Sequence, residues 1–137
     1  MANKIRLDIV TPEKVSYSAD VNMVIARTLN GDIGILPGHA PLIGALAVWP
    51  LRIVTDEGEE KLSLCGGFIE VQPDKITILA NSAELCDEID VDRAAAAKER
   101  AETRLKERSA GMDVDRAEAA LRRAIMRLQL AQYKKKI

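Results

Sequence analysis

Lys75-Ile76-Thr77-Ile78-Leu79-Ala80-Asn81-Ser82-Ala83-Glu84-Leu85-Cys86-Asp87-Glu88-Ile89-Asp90-Val91-Asp92-Arg93-Ala94-Ala95-Ala96-Ala97 changes its hydrophobic period once, near residue 88, and that change divides the chain. Before it the period is two, that of half-buried strands whose successive side chains face opposite sides. Ile5, Leu7 and Ile9 alternate with Arg6 and Asp8 until Thr11-Pro12-Glu13 ends the run, and a second β-rich stretch, Val21 to Leu29, stops at Asn30-Gly31. Leu51–Thr55 and Lys61–Cys65 flank Asp56-Glu57-Gly58-Glu59, where Gly58 supplies the positive φ of a short hairpin loop. Phe68–Val71, the turn Gln72-Pro73-Asp74 and Lys75–Leu79 read as another hairpin. Many short strands punctuated by Gly and Pro predict an antiparallel sandwich or flattened barrel over residues 1–88.

Beyond Glu88 the period is helical, in a stretch without Pro where Ala is the commonest residue. Asp90 and Asp113 are placed as N-caps of two helices, the first ending about Arg108 and the second running from Val114 to about Tyr133, with Ser109-Ala110-Gly111 between them. Ala94, Ala97, Ala101 and Leu105 form a narrow stripe on the first helix, and Ala117, Leu121, Ala124, Leu128 and Ala131 form one on the second. Small residues on both stripes predict an antiparallel hairpin over residues 89–137 with close axes. So thin a stripe buries little apolar area, so the hairpin is expected to be only marginally held to the β domain or to itself.

Charge splits at the same boundary. Residues 1–88 carry seven basic and thirteen acidic groups, a net −6; residues 89–137 carry thirteen basic and eight acidic groups, a net +5. With a total of −1 and 3% aromatics, the composition argues against a generic nucleic-acid binder or base-stacking platform. One histidine, His39, and two cysteines, Cys65 and Cys86, leave little for a metal centre, and two free thiols suit a reducing compartment. The N-terminus enters a strand pattern without a signal-peptide core, and the most apolar window, Ala40–Leu51, is broken by Pro41 and Pro50; a cytosolic or peripheral chain is expected.

Three constellations invite chemistry. The segment Gly31-Asp32-Ile33-Gly34-Ile35-Leu36-Pro37-Gly38-His39-Ala40-Pro41-Leu42 has prolines that forbid a phosphate loop opening a helix, so it reads as a rigid β-corner or as a docking loop for a partner. Cys65-Gly66-Gly67 reads as a buried strand-end thiol beside a bulge, rather than as a nucleophile with oxyanion amides. In an antiparallel hairpin Arg93 is expected opposite Arg127 and Arg100 opposite Arg123. Such a set of guanidiniums is either a solvated face with partners such as Glu99 and Glu102 or a site that an anion fills. A weakly held basic helix ending in Lys134-Lys135-Lys136 also suits an acidic partner surface.

Gly31-x-x-Gly34-x-x-Pro37-Gly38-His39-x-Pro41-Leu42, then Gly66-Gly67-Phe68-x-x-Val71 and a C-terminal helical pair, resemble the ε subunit of bacterial F-type ATP synthases, over essentially the whole chain. The resemblance implies an all-β N-terminal sandwich of about ten strands that docks on the γ subunit and the c-ring, followed by a two-helix regulatory domain. It implies a non-catalytic rotor subunit at the cytoplasmic face of the bacterial plasma membrane, with Gly31, Gly34, Pro37, Gly38, His39, Pro41 and Leu42 as the docking loop. It further implies that the hairpin extends along γ into the catalytic head. There Arg116, Arg122, Arg123, Arg127, Lys134, Lys135 and Lys136 would meet an acidic segment of β and block ATP hydrolysis. Relatives of a nucleotide-sensing kind hold ATP through an Ile/Leu-Asp-x-x-Arg-Ala motif, which Ile89, Asp90, Arg93 and Ala94 match, with Glu84, Arg100, Arg123 and Arg127 at the supporting positions. No catalytic residue, metal or required cofactor is expected; ATP, with or without magnesium, enters as a regulatory ligand. Asp92 adds an acid able to pair with Arg93.

Overall fold

The computed structural model describes residues 3–107 and 111–133, so Arg108, Lys134, Lys135 and Lys136 lie outside the described residues. Eight strands come first: β1 (Ile5–Val10), β2 (Val15–Val21), β3 (Met23–Thr28), β4 (Gly31–Ile35), β5 (Leu42–Thr55), β6 (Gly58–Val71), β7 (Lys75–Ala80) and β8 (Ala83–Leu85). A 3₁₀ turn, Cys86–Glu88, leads to α1 (Val91–Glu107) and α2 (Val114–Ala131). The strands are hydrogen-bonded in the order β2-β1-β7-β6-β5-β3-β4, with β8 on β6.

The described residues form eight strands where about ten were expected, because β5 and β6 are each 14 residues long. Lys61–Cys65 and Phe68–Val71, expected in separate hairpins, belong to one continuous β6. Its lower half pairs with β8 and its upper half with β7, so a single strand serves both layers of the sandwich. Pro50 sits mid-way along β5 opposite Ser63, and the β3–β5 register shifts between Ile25↔Arg52 and Thr28↔Leu46. A residue without an N–H tolerates such a gap in a ladder, which is where β5 passes from one layer to the other. The sheet is also not wholly antiparallel: β1 and β7 run parallel, a pairing of distant segments that no local turn signal encodes.

Alternation along the strands builds the core. Ile5, Leu7 and Ile9 of β1, Ile53 of β5, Leu62 and Ile69 of β6, and Ile76 and Ile78 of β7 are fully buried between the layers. Asp56-Glu57 makes a two-residue turn with Gly58 at φ 127°. Of the Gly31–Leu42 segment, expected as one loop, the first five residues are instead strand β4 on β3; the loop proper spans residues 36–41.

Gly67 is fixed by close approach. Its φ is +126°, and a Cβ there would sit 2.1 Å from Leu79 O, because β6 and β7 meet at Gly67↔Ala80. The ordinary strand-end thiol expected at Cys65 is a half-buried residue inside β6, with Asn81 Nδ2 donating to its carbonyl over 3.3 Å.

The hairpin docks through α2. Ala94 and Ala101 of α1 and Ala117 and Ala124 of α2 are buried along their facing stripes, as small residues at close axes require. A second face of α2 places Met126 and Leu130 with Ile89 against Val48, Cys65 and Cys86. That face was not evident from the narrow stripe. Three buried side chains supply about 2 kcal/mol each before ordering entropy is counted, so the seam between hairpin and sandwich is thin. Tyr133 adds an O–H donated to Glu59 O over 3.0 Å, with the Lys61 ammonium 4.5 Å from its ring centre.

Two outcomes follow for the β domain. Gly67→Ala is expected to cost about 3 kcal/mol or more, read as a lowered denaturant midpoint, since both φ and space are violated. Burial, then the Glu60 carboxylate, raises the Tyr17 phenol to about 12. A raised acid keeps its contribution to stability below the unfolded value of 10.0 and loses it as pH climbs through about 12. Tyrosinate absorbance should therefore show a component titrating near pH 12 that Tyr17→Phe removes, together with the matching alkaline loss of stability.

Candidate functional site

Where α1 begins, hairpin and sandwich enclose a polar cavity of 630 Å³. Its position follows from local chemistry. Asp90 caps α1, its Oδ1 accepting from Arg93 N at 3.0 Å and its carbonyl from Ala94 N at 3.0 Å, and this sets Arg93 and Ala94 in the first turn. Arg100, two turns on, lines the same cavity beside Ala97. On the other side, Glu84 of β8 accepts from Arg127 Nε of α2 at 2.7 Å, and Arg127 Nη2 lies 3.6 Å from Cys65 Sγ. Both members of the Glu84–Arg127 pair are about one-third exposed or less, so it is the best shielded of the ion pairs among the described residues.

The structure brings Glu84, Asp90, Arg93, Ala94, Arg100 and Arg127 to one cavity. It does not bring Ile89 or Arg123 to that lining. Ile89 is buried with Met126 and Leu130, so its role is packing. Arg123 is half-buried near Cys65, where its charge, with that of Arg127, partly opposes the burial that pushes the thiol up. Three of the four arginines expected to face one another line the cavity, and one of the three, Arg127, is neutralised by Glu84. Among the described residues no carboxylate lies within ion-pair distance of Arg93 or Arg100, and neither Asp92, Glu99 nor Glu102 fills the role of local partner.

Several lining residues carry no sequence signal. Thr11 and Lys14 come from the β1–β2 turn, Ser16 from the start of β2, and Asn81 and Ser82 from the link before β8. They line the cavity together with the first turns of α1 although they are distant from it in sequence. Lys14 Nζ stands 3.8 Å from Glu88 Oε2, while Leu85 N donates to Glu88 Oε1 at 3.0 Å and braces the 3₁₀ turn.

The Gly/Pro loop lies away from this cavity. Gly38, at φ +84°, donates its N–H to Pro73 O over 2.8 Å, which ties residues 36–41 to the β6–β7 turn. His39 N donates to Leu36 O at 3.2 Å and its Nδ1 lies 2.7 Å from Ala40 O, so the ring is engaged by its own loop. Leu36 and Ile43 at either end are 55% and 74% exposed. Ala45, Phe68 and Leu79, paired in register across β5, β6 and β7, continue an apolar row in which Phe68 is 61% exposed. Gly31 and Gly34 are exposed positions of β4, Pro37 and Pro41 lie in the loop, and Leu42 opens β5. Arg116 and Arg122 are exposed on α2. Among the described residues no group of three His, Cys, Asp or Glu is placed to hold a metal, and no helix is long and apolar enough to cross a membrane.

Residues 4–86 match the family described as ATP synthase, Delta/Epsilon chain, beta-sandwich domain, and residues 87–132 match ATP synthase, Delta/Epsilon chain, long alpha-helix domain. The chain is 54% identical over 101 residues to the ATP synthase epsilon chain of Alkalihalophilus pseudofirmus, covering 74% of this chain and 76% of the relative. It is 49% identical over 132 residues to that of Desulforamulus reducens, covering 96% of this chain and 100% of the relative. In fold it is similar to a chain of the Euglena gracilis mitochondrial ATP synthase structure of OSCP, F1 and c-ring, with a TM-score of 0.79 and 23% identity, covering 95% of this chain and 82% of that one. Two family domains in order, and identity near one half along almost the full length of a bacterial relative, place the chain in the family of bacterial F-type ATP synthase epsilon subunits.

Proposed function

We propose that the chain is the non-catalytic central-stalk subunit that couples γ to the c-ring at the cytoplasmic face of the bacterial plasma membrane, and that its helical arm restrains ATP hydrolysis by the catalytic head. The observation that carries the regulatory half is the thin seam under α2. Among the described residues Ile89, Met126 and Leu130 form its buried centre, while Arg116 and Arg122 stay exposed on an arm of net basic charge. An element held by so little apolar area exchanges readily between a docked and an undocked state, and its charge favours an acidic surface on β. The docking half rests on the exposed Leu36 and Ile43 beside the braced loop and on the apolar row through Phe68, which suit γ and c-ring surfaces. The β domain keeps its own core, separate from the seam, so it remains able to dock without the arm.

A second reading rests on the cavity: ATP bound there holds the arm folded. Arg93 and Arg100 face a polar space of 630 Å³ without carboxylate partners among the described residues, the electrostatic arrangement that an anionic ligand completes. The guanidinium groups of Arg93 and Arg100 suit the phosphates of such a ligand.

Removing residues 89–137 is expected to raise hydrolysis by the reconstituted catalytic head severalfold while co-elution with γ persists; unchanged hydrolysis would discard the inhibitory role. Calorimetry with ATP on the full chain is expected to give binding below millimolar concentration, weakened at least tenfold in Arg93→Ala. Absence of heat in the wild type would remove the sensor reading and leave the rotor role standing.

A further inference from the structure

We propose that Lys14, on the turn between β1 and β2, is the β domain's own contact to the anionic ligand of the interdomain cavity, so that a nucleoside triphosphate there straps the hairpin to the sandwich. The inference rests on the nucleotide reading above and adds how such a ligand acts on the arm. A ligand shifts a conformational equilibrium only by the difference in its affinity for the two states. Arg93, Arg100 and Arg127 all travel with the hairpin, so contacts to them do not by themselves favour docking on the sandwich. The preference must come from groups that stay behind.

Among the described cavity residues contributed by the β domain, Lys14 is the one cation; Glu13, Glu84 and Glu88 are acidic, and Glu84 is committed to Arg127 at 2.7 Å. The main chain under Lys14 is fixed. Its carbonyl accepts from Thr11 N at 2.9 Å and from Thr11 Oγ1 at 3.2 Å, which closes a tight turn and leaves only the flexible stem to move. The ammonium is loosely engaged, 3.8 Å from Glu88 Oε2 with the two side chains 60% and 46% exposed, so water screens the pair and little is lost when Nζ turns to a phosphate. Glu88 keeps its hydrogen bond from Leu85 N after Lys14 leaves, so the 3₁₀ turn stays braced. Two residues along, Ser16 lines the same wall with its hydroxyl unpaired among the described residues. An anion held by Arg93 and Arg100 on one side and Lys14 on the other is therefore held by both domains.

The test is ATP calorimetry on the full-length chain, with amide exchange of α2 measured in the same samples. Lys14→Gln is expected to weaken ATP about tenfold and to reduce the protection that ATP confers on α2, while Lys14→Arg retains both. Glu88→Gln, which removes the present partner, is expected to leave ATP affinity unchanged or tighter. Wild-type affinity in Lys14→Gln would overturn this proposal while the nucleotide reading stands. An equal loss in Glu88→Gln would overturn it too, by assigning the effect to the ion pair. Failure of the wild type to bind ATP would overturn both together.

Discussion

The continuous ladder between β5 and β6, from Leu42↔Val71 to Thr55↔Gly58, is the constraint on which the rest of the molecule depends. Two strands of 14 residues are long enough to belong to both layers at once, so the sandwich closes around them: β7 adds to the upper part of β6, β3 to β5, and β8 to the lower part of β6. The bend this demands is accommodated by Pro50, which has no N–H to leave unpaired, and by Gly66 and Gly67, whose positive φ values no other residue type adopts easily. Gly67 has a further duty, because Leu79 O occupies the space a side chain would need.

The same ladder supplies the platform for the helical hairpin. Residues 62 and 64 of β6 point into the sandwich core, so Lys61, Ser63 and Cys65 lie on the face towards α2. Polar and half-buried side chains on that face explain why α2 finds only a small apolar anchorage. Ser63 is fully buried there with its hydroxyl unpaired among the described residues, a local cost to the docked arrangement. Weak anchorage and a charge-rich cavity beside it are two consequences of one choice of residues, and together they suit an arm that a ligand restrains.

Much of the organisation was legible because it depends on local periodicity. The switch of period near residue 88, the Asp90 and Asp113 caps, the Ala stripes and the Gly58 and Pro73 turns are local signals, and each recurs in the structure. The number and pairing of strands were not legible in the same way. A strand that crosses between layers looks in sequence like two strands with a Gly-Gly interruption, and the parallel pairing of β1 with β7 joins segments 69 positions apart in register at Arg6↔Lys75. The second apolar face of α2 was hidden because Met126 and Leu130 fall outside the stripe that meets α1.

For the candidate site the division is similar. The sequence by itself determined the cap at Asp90 and the helical spacing that sets Arg93 and Arg100 on one face, since a helix fixes the directions of its own side chains. Only the tertiary structure decided that Arg127 would be neutralised by Glu84, that Arg123 would fall outside the cavity lining, and that Thr11, Lys14 and Ser16 would complete it. Those outcomes depend on which strands pair and which end at the sheet edge. Edge position is settled by long-range hydrogen bonding and burial summed over the whole sandwich, a quantity that no single stretch of residues contains.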